Sequence, residues 1–196
     1  MNINKENLIQ LIEDVCTIDE FKPSEIPCVD LYMDQVTTFF DEKLQSLKRD
    51  KNEKILTKTM INNYAKAKLL LPIKGKKYSK EQIMLLSLIY NLKQILSIND
   101  LGLILSPIIK SISEDKGKFP LEDLYSSFLD LNKLQLNESN RWFRDKLEVV
   151  SEKASEIKTE DRDLITLILS VLMLVASANT QKRMAEKIID NYFKNS

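Results

Sequence analysis

Apolar residues recur at helical spacing along almost the whole chain, and this periodicity constrains the fold more than any other feature. Leu8, Leu11, Ile12 and Val15 form one stripe; Val36, Phe39, Phe40, Leu44 and Leu47 form another. Phe143, Leu147, Val150, Ala154 and Ile157 step by four and three, the spacing of a bundle or coiled-coil seam. Three glycines and five prolines are the only strong helix breakers in 196 residues. The expected class is mainly α, and the length accommodates one moderate domain or two small ones.

Local signals divide the chain further. Residues 4–16 read as a helix, and 17–29, with Pro23 and Pro27, as an extended connection. A helix is expected over 33–47, and 48–54, which lacks apolar residues, reads as a solvated loop. A short helix over 57–68 follows, stopped by Pro72, and then a small two-stranded ribbon over 69–78 with Gly75 at its tip. Ser79 and Gln82 fit a capping box before an apolar helix over 83–96. Ser97 and Asp100 start another helix, expected to end before Pro107. A Gly-containing break over 113–119 precedes a helical remainder, in which Thr159, ahead of Glu160 and Asp161, caps a last helix that breaks near Asn179. Three regions are expected: an N-terminal helix and linker over 1–28, a domain over 29–112, and an all-helical dimerisation or effector domain over 118–196.

The uncharged run 164–178 is shorter than the roughly 20 residues of a membrane span, and three hydroxyls interrupt it. It reads as a helix buried in a bundle or dimer core, with no membrane contact. The N-terminus has no basic region leading into an apolar one, so no signal peptide is expected and the compartment reads as cytoplasmic. Cys16 and Cys28 make neither a disulfide framework nor a zinc motif.

Histidine is absent. Ser-His-Asp triads, Cys-His dyads and His-ligated zinc are excluded with it. No catalytic residue, metal or cofactor is expected. Glu13 and Asp14, Glu42, Glu122 and Asp123, and the acids of 160–163 offer carboxylates, but the Glu-x-x-His pairs of helical di-metal sites cannot be built. Solvated helix faces explain these acids better.

Charge is unevenly placed. The formal net charge is zero, with 29 basic and 29 acidic residues. Residues 1–47 hold three lysines against ten acids, whereas 48–82 hold eleven basic residues against three acids, a surplus of eight. Such a window marks an electrostatic footprint or a solvated linker. It covers the short helix and the ribbon, and helix, basic loop, short polar helix, ribbon and capped helix is the order of a winged helix-turn-helix. Lys58, Thr59, Asn62, Asn63, Lys66 and Lys68 are the candidate groove and phosphate contacts, and Lys74, Lys76 and Lys77 the candidate wing contacts. Tyr64 and Tyr78 read as core residues.

The stretch 57–64, then Lys68-Leu69-Leu70, Pro72 and 76–79 resemble the N-terminal DNA-binding head of MerR-type regulators. A closer resemblance, over about 29–106, is to a bacterial group known as a domain of unknown function; its motifs stand nearly intact at 31–39, 57–70 and 76–79. The resemblance implies a MerR-like winged helix-turn-helix with a small β-ribbon wing in the N-terminal half, followed by a helical dimerisation half. It departs at Asn62, where the MerR family has arginine, and at Lys68, where it has glycine, so base readout does not carry over. The family's cysteine metal ligands have no counterpart here.

The leading expectation is a dimeric, non-enzymatic regulator that binds double-stranded DNA and joins a second copy through its C-terminal helices. Its small-molecule effector, if one exists, is unknown. The alternative is a protein-interaction module using the same surfaces, in which the acidic N-terminal segment folds back on the basic window. Trp142 suits an interface, a pocket or the core.

Overall fold

The computed structural model describes residues 5–17, 20–114 and 119–194. Among them the chain is mainly helical, with seven α-helices and one two-stranded sheet. The helices are α1 (Lys5–Cys16), α2 (Met33–Lys43), α3 (Lys58–Lys66), α4 (Lys80–Lys93), α5 (Ile98–Ser113), α6 (Leu121–Glu156) and α7 (Arg162–Tyr192). The strands are β1 (Leu31–Tyr32) and β2 (Lys77–Tyr78).

Two compact units divide the chain differently from the three expected regions. One comprises Glu20–Leu129 and Ala185–Ser196; the other comprises Met1–Asp19 and Asp130–Met184. The segment 20–28, expected to be linker, places Phe21, Pro23 and Ile26 in the interior of the first unit. Phe21 meets Phe39 and Phe40 edge to face, with ring centroids 4.9 and 5.4 Å apart. Such rings prefer this geometry because the positive edge of one meets the negative face of the other. The expected break over 113–119 lies largely outside the described residues.

The core of the first unit is built around α4, which is buried on every side from Gln82 to Ile89. Gln82 starts that helix by accepting the Ser79 backbone N–H at 2.8 Å, as the capping-box spacing predicts. Its amide donates to the Leu71 carbonyl at 2.9 Å, so a buried polar side chain ties the preceding loop to the helix start. A second buried network joins distant segments. The Tyr125 hydroxyl of α6 lies 3.0 Å from the Phe21 carbonyl and 3.1 Å from the Ser87 hydroxyl of α4, and Glu20 accepts from Asn91 at 2.9 Å.

Several boundaries differ from the sequence expectations. The helix expected over 33–47 ends at Lys43 and continues as a single 3-10 turn, Gln45–Leu47. Helix α5 runs through Pro107 to Ser113. Leu101, Leu105 and Ile108 are buried on one stripe spanning the proline, and that burial offsets the hydrogen bond the proline cannot make. Asp161, not Thr159, caps α7: its carboxylate accepts the Leu164 N–H at 3.0 Å. Helix α7 passes Asn179 without a break, since no glycine or proline interrupts it.

In the second unit the predicted seam is present. Phe143, Leu147, Val150 and Ala154 are buried, while Ile157 is exposed just past the end of α6. Trp142 is half-buried. Helix α1 joins α6 through ion pairs of Lys5 with Glu148 and Arg144 with Glu13. The expectation for 164–178 is corrected. Leu164, Ile168, Val171, Leu172 and Val175 of α7 are all exposed, and within the chain only Ser170 of this run is buried. By length and composition α7 is apolar enough to cross a membrane, with a window of mean hydropathy 1.8 that is 6% buried.

Candidate nucleic-acid interface

The helix α3 is amphipathic in the sense its sequence requires. Ile61 and Tyr64 are buried, Met60 and Ala65 half-buried, and the opposite side carries polar residues. Lys58, Asn62 and Lys66 line up at intervals of four, with Thr59 and Asn63 in the adjoining row; all five are exposed. Thr57 caps the helix by accepting the Met60 N–H at 3.2 Å. The hydroxyl of Tyr64 is buried with no hydrogen-bond partner among the described residues, and burial pushes its pKa up. Tyr64 is a core residue, as expected, and so is Tyr78.

Helix α3 ends at Lys66, short of the expected 68, and its stop is not Pro72. Lys68 adopts a left-handed backbone, φ +59°. The Leu69 N–H then returns to the Tyr64 carbonyl and the Lys68 N–H to the Ala65 carbonyl, both at 3.0 Å. This is a Schellman cap, whose left-handed position glycine fills at least cost. Lys68 is the residue that stands where the MerR-type resemblance has glycine.

The ribbon expected over 69–78 is also revised. Gly75 and Lys76 take φ of +59° and +60°, the pair of positive values that defines a two-residue type I′ turn. Lys74 and Lys77 flank the turn in a single antiparallel bridge. The sheet itself pairs β2 with β1, Leu31 opposite Tyr78 and Tyr32 opposite Lys77. Pro72 offers no N–H on the incoming side, so the second strand comes from the segment before α2. That pairing sets the Lys77 ammonium 5.1 Å from the centre of the Tyr32 ring. Beside the turn lies a cleft of about 390 Å³ whose lining includes Asp30, Lys74, Lys77, Gln82 and Ile112.

Charge pairing separates the lysines of the basic window into two groups. Asp41 of α2 holds Lys54 at 2.7 Å and Lys48 at 3.2 Å, and accepts the Ile55 N–H at 3.1 Å. Burial opposes its ionisation, but these three donors outweigh it and hold its carboxyl below the usual range. Lys58 pairs with Asp34, and Lys80 with Glu122 at 2.8 Å. Lys66, Lys68, Lys74 and Lys76 stand exposed, with no ion-pair partner among the described residues. Asp34, Asp41 and Tyr32 were not legible as members of this surface. Asp41 meets Lys54 across 13 positions, a separation with no periodic signature.

Of the acidic N-terminal segment, Asp34 and Asp41 reach the basic window through Lys58, Lys48 and Lys54, and three other acids are engaged elsewhere. Glu13 is paired with Arg144 in its own unit, Glu25 with Lys43, and Glu20 is enclosed beside Ser87 and Asn91. Among the described residues no group of three or more His, Cys, Asp or Glu is placed to hold a metal.

These features define a small, mainly helical domain with an exposed polar helix and a lysine-bearing turn. Residues 21–128 match the family model described as Domain of unknown function (DUF1836). The match spans more than half of the chain, and the chain belongs to that family. Neither the curated proteins nor the solved structures yield a match.

Proposed function

We propose that the protein is a DNA-binding transcriptional regulator of the cytoplasm, without enzymatic activity, that acts as a homodimer through its C-terminal helices. In this reading α2, α3, the 74–77 turn and α4 form a MerR-like winged helix-turn-helix. Helix α3 enters the major groove and the turn approaches the phosphates or the minor groove. The observation that carries the reading is the outward face of α3. Two asparagines, a threonine and two lysines stand opposite a buried Ile61–Tyr64 stripe, on a helix short enough for a groove. Asn62 and Asn63 suit bidentate contacts to adenine, and Lys58 and Lys66 suit guanine or phosphate. Lys68, Lys74, Lys76 and Lys77 supply the sequence-independent term.

Fluorescence anisotropy on labelled double-stranded DNA across a salt series tests this. The wild type is expected to lose affinity steeply as salt rises. K74A/K76A/K77A is expected to flatten the logarithmic slope by about one unit for each phosphate contact removed. Asn62→Ala is expected to relax sequence preference with little change in that slope. Absent or salt-insensitive binding overturns the reading and favours a protein-interaction module on the same surface.

A further inference from the structure

We infer that the cleft beside the 74–77 turn binds a free α-amino acid with an apolar side chain, and that the bound amino acid withdraws Lys74 and Lys77 from DNA. The site itself does not depend on the DNA reading; its effect on DNA rests on that reading. The cleft, of about 390 Å³, lies wholly within the first unit and has the size of a small-molecule site. Its charged lining is Asp30, Lys74 and Lys77. Lys77 stands opposite Tyr32 in the sheet and opposite Lys74 across the turn, so the two lysines share a face of the ribbon. Like charges placed directly opposite each other are unfavourable, and neither lysine has an acid partner among the described residues. Asp30 forms no ion pair among them either. Lys48, Lys54 and Lys58, by contrast, are all taken up by Asp41 and Asp34. Acid and base thus line one cleft without meeting each other.

An α-amino acid satisfies this arrangement in all three of its parts. Its carboxylate suits the two lysines, its ammonium suits Asp30, and its side chain suits Leu71, Pro72 and Ile112. Leu71 and Ile112 also pack against the core, which fixes the apolar wall. Two neutral polar residues of the lining are already committed. Gln82 accepts from the Ser79 N–H and donates to the Leu71 carbonyl, and the Ser79 hydroxyl donates to Glu81. Recognition therefore falls to the three charges. A DNA phosphate fits the cleft less well, since it brings no apolar body and Asp30 repels it. On their flexible stems the lysines serve phosphate or amino acid, not both at once. Linkage then requires each ligand to weaken the other.

Isothermal titration calorimetry of the full chain, without DNA, tests the site with leucine, isoleucine, methionine and phenylalanine at millimolar concentration. At least one is expected to bind. Its amide, which lacks the carboxylate, and its deaminated acid, which lacks the ammonium, are each expected to bind about tenfold more weakly. Asp30→Asn is expected to weaken the amino acid about tenfold without weakening the deaminated acid. Lys74→Gln is expected to weaken both of these and to leave the amide unchanged. Both residues are exposed, and helical circular dichroism is expected to stay the same. Saturating amino acid is then expected to weaken duplex binding and to flatten its salt slope by about one unit for each lysine withdrawn. No binding by any of the four, equal binding of the amide or the deaminated acid, or unchanged duplex affinity at saturation would overturn the inference. A chain that binds the amino acid but no duplex retires the DNA reading and leaves the site standing; one that binds duplex but no amino acid does the reverse.

Discussion

The Tyr125 hydroxyl and the Phe21 carbonyl, 104 positions apart in the chain, meet at 3.0 Å inside the first unit. The same hydroxyl lies against Ser87, so one phenol joins α6, α4 and the segment that leads into α2. Tyr125 is fully buried. Tyr125→Phe preserves the ring but leaves a buried carbonyl and a buried serine short of a partner. The expected cost is about 1–3 kcal/mol, read as a fall in the urea midpoint.

Glu20 gives this network a pH dependence. Burial pushes its carboxyl above the usual range, and hydrogen bonds from Asn91 and Ser87 recover only part of the shift. The folded state therefore binds the proton more tightly than the unfolded chain does. Stability contributed by this group is present at low pH and is lost as pH rises through the raised folded value. Glu20→Gln keeps an acceptor oxygen without the charge. It is expected to remove that slope and to raise the melting temperature at neutral pH, measured by thermal denaturation across a pH series.

Asp41 has the opposite sign. Although burial resists its ionisation, Lys54, the Ile55 N–H and Lys48 together depress its carboxyl. Its contribution is present at neutral pH and is lost as pH falls through the depressed folded value. Asp41→Asn is expected to cost about 1–3 kcal/mol, since three donors lose an ionised acceptor. Hydrogen exchange is expected to rise at Ile55 and in the loop leading to α3.

Lys68 sets stability against charge. A lysine held in the left-handed region costs about 1–2 kcal/mol relative to its favoured conformations, and glycine does not incur that cost. Lys68→Gly is therefore expected to stabilise the fold by about 1 kcal/mol, read by chemical denaturation. If the lysine serves phosphate binding, the same variant binds duplex DNA more weakly and with a shallower salt slope. A stabilised variant with unchanged DNA affinity would remove Lys68 from the interface.

Helices were legible in the sequence because their signals are local. The Ile61–Tyr64 stripe, the Phe143 to Ala154 seam and the Ser79–Gln82 start each need only neighbours within a turn or two. The left-handed Gly75 was legible for the same reason, since a turn between basic residues restricts what its tip can be. Pro107 and Lys66 show the limit. Whether a proline ends a helix, or where a short helix stops, depended on burial across the helix and on a lysine accepting a left-handed backbone.

The sequence by itself determined a mainly helical protein, the polar face of α3 and the concentration of lysine between positions 48 and 82. Only the tertiary structure decided which of those lysines are spent internally. Asp34 and Asp41 claim Lys58, Lys48 and Lys54, while β1 crosses from residue 31 to complete the sheet beside Lys77. It also left the apolar face of α7 uncovered where its hydropathy had suggested a core. The reason is the same in each case. Periodicity fixes which face of an element is apolar or charged, and the residues that meet that face come from a distant part of the chain.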